Sequence, residues 1–266
     1  MVRAITLLLL LSPLSFAGDN TMTIITKGQS NTITSKQSGN GNATTIICGA
    51  ASGGYAHAGY SYVGHTCGSA NLTSNVTGNS NTSRIYTVWS NNIGNTYSIN
   101  IDGNDNFAWI DQDEDDNTST ISQDGNSNHA EQLGSGDDNT YTITQTGNTK
   151  YAKIKSFGDD GTHAITQTGT GSHNAYIFNN GTGHNNTTTI TQSGSGNKDA
   201  DVLYYSGSNE VDITQSGNGA HTAAMTITTG SYNIDVTQTG ATAKAYSLTA
   251  NCASGCNKTI TITQND

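Results

Sequence analysis

Glutamine is the side chain whose spacing in this sequence points most directly to a chemistry, and that chemistry is hydrogen bonding. Gln123, Gln145 and Gln167 lie 22 residues apart, each two residues before a glycine. A carboxamide both donates and accepts, so amides stacked above one another can satisfy each other in a buried position. We therefore predict an amide ladder made of Gln37, Gln123, Gln145, Gln167, Gln192, Gln215, Gln238 and Gln264.

The acidic run at residues 111–116 is the densest charge cluster, and it allows two interpretations. Calcium prefers several carboxylates, but the run lacks the spacing of an EF-hand loop or of the glycine-rich calcium repeat. The alternative, which we favour, is a solvated turn whose like charges oppose aggregation. Two aspartate pairs, at 137–138 and 159–160, occupy the same turn in later repeats. They predict an acidic edge along one side of the stacked repeats.

The remaining titratable residues do not form a catalytic pattern. The seven histidines have no metal-ligand spacing, and we expect most of them in turns or at the surface: His57, His65, His129, His163, His173, His184 and His221. No nucleophile–base or phosphate-loop motif stands out, so we predict no enzyme activity, no metal site and no cofactor. The formal charge of −10 and the lack of a basic stripe argue against nucleic acid as a partner.

The four cysteines suggest disulfides in an exported chain, and three connectivities are open. We prefer Cys48 with Cys67 and Cys252 with Cys256, because each pair brackets a segment that interrupts the repeat. The first bridge would close the base of an insertion at 48–67 and leave the repeat register intact. A zinc site is the alternative, but no CxxC pair or histidine cluster supports it.

The elements that must position the glutamines are short strands joined by tight turns. Between turns the alternation has period two, with Tyr141, Ile143 and Gln145 facing one way and threonines the other, which predicts half-buried strands. Two strands and two turns fill each 22-residue repeat. The sequence therefore predicts an all-β, flat two-sheet β-solenoid of about ten coils spanning residues 18–266.

Two further columns follow from this arrangement. Stacked aliphatic side chains should form the dry centre of the solenoid: Ile99, Ile121, Ile143, Ile165, Ile190, Ile213, Val236 and Ile262. Glycine and asparagine accept the left-handed backbone of a tight turn. The predicted turn residues are Gly103, Asn106, Gly125, Asn128, Gly147, Gly169, Gly194, Asn197, Gly217 and Gly240.

The first 17 residues have the pattern of a secretory signal peptide. Arg3 gives a positive start, residues 7–14 form a short apolar run, and small residues precede a cleavage site between Ala17 and Gly18. The run is too short to span a membrane, and no other apolar stretch approaches that length. We therefore expect a secreted mature chain without a membrane span.

The full unit reads Asn-x-φ-x-Ile-x-Gln-x-Gly-x-x-Asn-x-Ala, where φ is hydrophobic, and its clearest copy runs from Asn117 to Ala130. It resembles the curlin repeat of curli subunits, the bacterial functional amyloids, over most of residues 20–266. The family pattern has Ser where Asn117 stands, and a second Gln that is present here only at Gln112.

The resemblance implies a structural role rather than catalysis. Curlin subunits pass an outer-membrane secretion pore, assemble on a nucleator subunit, and form extracellular cell-surface fibres with other curlin-type subunits. Two other functions remain open on the sequence. A non-fibrillar surface adhesin could use the Tyr-rich insertion as its contact site, and an ice-binding protein could use the outward threonines.

Overall fold

The computed structural model describes residues 18–49, 55–57, 60–62, 66–87, 92–178, 180, 185–204, 209–228, 231–251 and 258–266. The predicted signal segment 1–17 lies outside these residues, as do His65, His184, Cys252 and Cys256. Within the described part the secondary structure is entirely strand and turn, and no helix there is long and apolar enough to cross a membrane.

Two parallel sheets of ten strands each build the molecule. Sheet 1 consists of Thr32–Ser38, Asn71–Thr77, Thr96–Asp102, Thr118–Asp124, Thr140–Thr146, Thr162–Gln167, Thr187–Gln192, Asn209–Gln215, Tyr232–Gln238 and Lys258–Gln264. Sheet 2 consists of Thr21–Thr26, Ala43–Cys48, Thr82–Thr87, Phe107–Gln112, His129–Gly134, Tyr151–Ser156, His173–Tyr176, Lys198–Asp201, His221–Thr228 and Lys244–Asn251.

The chain alternates between the two sheets, so each strand pairs in parallel with the strand one coil before and one coil after it. Thr140–Thr146, for example, lies between Thr118–Asp124 and Thr162–Gln167. The register advances by one repeat per coil, which sets equivalent side chains above each other at about 4.8 Å. The predicted all-β solenoid of about ten coils is confirmed.

Side-chain alternation explains why these polar strings form strands. In Thr140–Thr146 the side chains of Tyr141, Ile143 and Gln145 are fully buried, whereas the threonines between them are partly exposed. Threonine suits the outer positions because its branched side chain fits a pleated, half-buried surface. In sheet 2 one inner position is small in most coils, as at Ala130 and Ala152, and the next inner position is often isoleucine, as at Ile110 and Ile154, so the two sheets enclose a thin core.

The predicted insertion leaves this register undisturbed. Ala43–Cys48 and Asn71–Thr77 keep their places in sheets 2 and 1 on either side of it. Its described residues form a two-stranded antiparallel hairpin, Tyr55–His57 with Tyr60–Tyr62. At its end, Cys67–Gly68 pairs with Gly28–Gln29 and Asn92–Ile93 in a small third sheet.

Candidate functional site: the amide ladder and the two turn edges

Seven of the eight predicted ladder glutamines form one continuous hydrogen-bonded column. Each Nε2 donates to the Oε1 of the glutamine in the following coil, over distances of 2.8–2.9 Å. The column consists of Gln123, Gln145, Gln167, Gln192, Gln215, Gln238 and Gln264. All but the last are buried.

The second amide hydrogen of the ladder ties sheet 1 to sheet 2. Gln145 Nε2 lies 3.0 Å from the carbonyl oxygen of His129, and Gln167 Nε2 lies 2.7 Å from that of Tyr151. The same bond recurs at Gln123, Gln192 and Gln215. Each of these amides forms hydrogen bonds both along the stack and across the core. The ladder therefore compensates for the small number of hydrophobic side chains in the core.

Gln37 stands apart from this ladder, contrary to the prediction. Val76 and Ile101 occupy the glutamine position in the two intervening coils, so no amide connects Gln37 to Gln123. Gln37 instead donates to the carbonyl oxygen of Thr21 and the hydroxyl of Thr44. At the start of the ladder, the buried Oε1 of Gln123 faces an isoleucine coil and has no hydrogen-bond partner.

The predicted aliphatic column lies beside the ladder. The structure places Ile99, Ile121, Ile143, Ile165, Ile190, Ile213, Val236 and Ile262 in successive coils. Ser74 and Ser35 take the same position in the two coils before Ile99. The first coils therefore have a more polar centre than the rest.

The turns from sheet 1 to sheet 2 form what we call the glycine edge. All the predicted turn glycines have positive φ, for example 130° at Gly125 and 105° at Gly147. Asn106 and Asn128 are buried and donate to the carbonyl oxygens of Gly125 and Gly147 in the next coil. Asn20, Asn42 and Asn81 make the same bond in the preceding coils.

Asn197, a predicted turn residue, lies outside the buried asparagine column. From Gly169 onward the glycine-edge turns are one residue longer, so the residue four after each glycine takes the position of Asn128. The column consequently continues from Asn128 as Lys150, His173, Lys198, His221 and Lys244. Lys150, His173, Lys198 and His221 are each about 1% exposed.

The expectation that most histidines lie in turns or at the surface is therefore wrong for three of them. His173 and His221 are buried at the glycine edge, and His163 is buried in the core beside Tyr141, with the two rings 5.7 Å apart. Burial lowers the pKa of His163 to about 3. Neither of its ring nitrogens has a hydrogen-bond partner, so the neutral ring serves as core packing.

The opposite turns, from sheet 2 to sheet 1, include the acidic runs and form the acidic edge. Their carboxylates bind backbone: Oδ1 of Asp137 accepts from the amide of Asp115, and Oδ1 of Asp159 from that of Asp137. Burial and the carboxylates of Asp137, Asp115 and Asp159 raise the pKa of Glu114. Among the described residues, no group of three or more His, Cys, Asp or Glu side chains could hold a metal ion.

The outer face of sheet 1 presents a partly ordered hydroxyl surface. One threonine column is unbroken over six coils and consists of Thr144, Thr166, Thr191, Thr214, Thr237 and Thr263. The parallel column that contains Thr120 and Thr142 is interrupted by Ala164, Asp212 and Asp235. A flat two-column array therefore does not form.

The outer face of sheet 2 holds an aromatic stack that the repeat pattern did not reveal. The rings of Phe107, His129 and Tyr151 lie 4.6 and 5.1 Å apart in successive coils. Beside them Glu131 bonds His129 and forms an ion pair with Lys153, and these contacts lower the pKa of the Glu131 carboxyl to about 2. Both features link neighbouring coils on the solvent side.

The structure contains the Cys48–Cys67 disulfide, with a Cα–Cα distance of 5.4 Å and both cysteines fully buried. It joins the end of a sheet 2 strand to the small third sheet, so it closes the base of the insertion. The bridged residues are 19 apart in sequence.

Replacing Cys48 and Cys67 together by serine should lower the free energy of unfolding by about 3 kcal/mol, because the bridge limits the entropy of a loop of this length in the unfolded chain. Chemical denaturation of the oxidised chain measures the change. Reductant should shift the original chain further than the variant, because the variant keeps only the predicted Cys252–Cys256 bridge. Equal midpoints for all four samples would contradict a stabilising bridge.

Comparison with protein families gives one match. The model of the Curlin associated repeat fits residues 136–169 and 183–217. Searches of curated proteins and of solved structures give no significant match. The matched segments contain Gln145, Gln167, Gln192 and Gln215, each two residues before a turn glycine, and the same units build the amide ladder. Residues 136–217 of this solenoid thus carry two curlin-associated repeats.

Proposed function

We propose that this chain is a structural, non-catalytic subunit of an extracellular curli-type amyloid fibre that supports cell adhesion and the biofilm matrix. The observation that carries the proposal is the ladder, whose donors and acceptors repeat once per coil. A column of this kind is extended by any further coil that offers a glutamine in the same register.

The two ends of the coil stack support end-to-end assembly. Met22 is 37% exposed, and Ile24, Tyr246, Leu248 and Ile260 are only partly buried, whereas interior residues at these positions are almost fully covered. The strands Thr21–Thr26 and Lys258–Gln264 each have one unpaired edge within the described structure. An open edge with apolar side chains is a template for another strand.

Continuing the register across this junction pairs complementary residues. Gln264 accepts from Gln238 and donates to the carbonyl oxygen of Ala245 at 3.3 Å, which leaves one N–H for a further coil. If the next copy continues the stack, Gln264 faces its Gln37 and Ile260 faces its Ile33. In sheet 2, Tyr246 and Leu248 meet its Met22 and Ile24.

Export and partners follow from the curlin resemblance. We propose that residues 1–17 are a signal peptide removed between Ala17 and Gly18, and that residues 18–266 form one curlin-like solenoid. An outer-membrane pore and a nucleating curlin-type subunit are the proposed partners.

The fibre proposal is tested on purified residues 18–266. We expect fibres that bind amyloid dyes and diffract at about 4.8 Å along the fibre axis. Gln264→Ala should slow seeded growth about tenfold, because one hydrogen bond of about 1.4 kcal/mol is lost at the junction. Thr263→Ala, on the outer face, is the matched control and should change growth less than twofold.

Two results would contradict the proposal. Equal slowing by both variants would show that the ladder does not mediate growth at the junction. Absence of the strand-spacing reflection would show that the chain does not form an amyloid-type fibre. A chain that stays monomeric and shows thermal hysteresis would favour ice binding by the threonine surface instead. Loss of adhesion with intact assembly after deletion of residues 49–66 would favour the insertion as an adhesin site.

A further inference from the structure

The second half of the glycine edge contains a buried column in which lysine and histidine alternate. It runs through Lys150, His173, Lys198, His221 and Lys244, one residue per coil, and all but the terminal Lys244 are buried. The four preceding coils carry asparagine at the same position: Asn42, Asn81, Asn106 and Asn128. One side of a uniform fold therefore changes from neutral to ionisable near residue 150.

Lys150 and Lys198 are bonded to backbone carbonyl oxygens, whereas Lys244, at the end of the column, forms an ion pair with the carboxylate of Asp266. Nζ of Lys150 lies 2.8 Å from the carbonyl oxygens of both Gly169 and Gly171. Nζ of Lys198 contacts three, of Gly196, Gly217 and Gly219, at 2.6–3.0 Å. An ammonium group with its three donors suits such a site, and no side-chain carboxylate is among these contacts.

Each histidine between them has one ring nitrogen that is hydrogen-bonded and one that is not. Nε2 of His173 lies 2.8 Å from the carbonyl oxygen of Thr168, and Nε2 of His221 lies 2.8 Å from that of Ser216. A carbonyl oxygen only accepts, so Nε2 carries the hydrogen in both rings. Nδ1 is buried without a partner in both. Protonation would therefore place an uncompensated charge on Nδ1 between two ammonium groups.

We propose that this column makes the second half of the solenoid, residues 147–244, selectively acid-labile, while the asparagine-lined first half keeps its structure. The trigger is the proton that His173 and His221 take up when their coils open to water. The proposed acid response is a property of the coil stack itself and does not depend on whether the chain forms fibres.

The direction follows from proton linkage. Burial, with Lys150 and Lys198 adding to it, lowers the pKa of His173 to about 4 despite the opposing bond to Thr168. Burial, with Lys198 and Lys244, also lowers the pKa of His221, and Asp266 opposes the shift. In the open state a histidine pKa is about 6.5, so the open state binds more protons below that pH. Stability of these coils therefore falls as pH drops below about 6.5, and the loss from His173 is complete near pH 4.

Hydrogen exchange of purified residues 18–266 at pH 7.5 and pH 5, corrected for intrinsic rates, tests the proposal. His173 alone should raise the opening constant of its coils about 30-fold at pH 5. We expect protection to fall in peptides from residues 147–244 and not to fall in those from residues 71–128. In the latter, burial raises the pKa of Asp111 to about 7 and also raises that of Glu114, so protonation of these carboxyls stabilises the first half as pH drops. Similar losses in both halves would overturn the proposal.

Two variants separate titration from structural damage. His173→Asn with His221→Asn uses the residue of the first half and should remove at least tenfold of the acid effect. Lys198→Asn keeps both histidines but removes the cation between them. It should therefore also reduce the ratio of the opening constants measured at pH 5 and pH 7.5. His163, whose pKa burial lowers to about 3, takes up a proton by the same linkage when its coil opens, and it stays in every sample so that its share of the acid effect cancels in the comparison. Retention of the full acid effect within twofold in the double variant would disprove the role of the column.

Discussion

Replacing Gln167 by leucine should lower the free energy of unfolding by about 2–4 kcal/mol, although leucine fills a similar volume. Gln167 accepts from Gln145 Nε2 and donates to both Gln192 Oε1 and the carbonyl oxygen of Tyr151. Its removal breaks all three of these bonds, and each buried polar group left without a partner costs about 1–3 kcal/mol before relaxation. Chemical denaturation followed by circular dichroism on freshly dissolved chain measures the loss.

Thr166→Ala is the matched control, because Thr166 lies next to Gln167 on the outer face of the same strand. It should change the stability by no more than about 0.5 kcal/mol. The reverse change, Ile101→Gln, offers the unpartnered Oε1 of Gln123 a donor from the preceding coil. It should cost clearly less than Gln167→Leu. If Gln167→Leu and Thr166→Ala had equal effects, the ladder would not stabilise the fold.

Most of the fold follows from the sequence because coil length and repeat length coincide. Once Gln145 and Ile143 recur every 22 residues, stacking them fixes the register of both sheets. The exception at Gln37 was also visible in the sequence. Val76 and Ile101 stand two residues before Gly78 and Gly103, where the ladder requires glutamine.

The buried lysines and histidines could not be predicted in the same way. A fixed Gly-x-x-Asn spacing assigned Asn197 to the turn, but the turn at residues 194–198 is one residue longer and Lys198 takes the inner position. Sequence alone does not say which turn residue faces inward when the length changes. Lysine is rarely buried, so composition also argues for exposure. Only the carbonyl oxygens that surround Nζ explain why burial is tolerated here.

The aromatic stack escaped prediction for a related reason. Phe107, His129 and Tyr151 occupy a position that the repeat leaves variable, and their contacts arise only because the coils are in register. The spacing of these residues equals the repeat, but their residue types differ. A pattern search for identical side chains therefore passes over them.

Gly125→Val, at the glycine edge, should lower the free energy of unfolding by about 3 kcal/mol or more. Gly125 has φ of 130°, which a β-branched residue rarely adopts, and an added Cβ would overlap the carbonyl oxygen of Gly147 in the next coil. The clash cannot be relieved by a side-chain movement, because the obstacle is backbone. Separation of the coils would also weaken the bond from the Gly147 amide to the carbonyl oxygen of Asp124.

Gly41→Ser isolates the steric part of this argument, because Gly41 lies at the same edge and also has positive φ, at 65°. An added Cβ there meets nothing closer than 3.8 Å, and Ser80 takes the equivalent place in the next coil with φ of 55°. The control should therefore cost no more than about 1 kcal/mol. The denaturation midpoints of the two variants, measured under the same conditions, test whether the lack of space at Gly125 causes the additional loss of stability. A Gly125→Val chain as stable as the Gly41→Ser chain would mean that close backbone stacking at this edge does not limit the fold, since both substitutions remove a glycine with positive φ and only one of them lacks space.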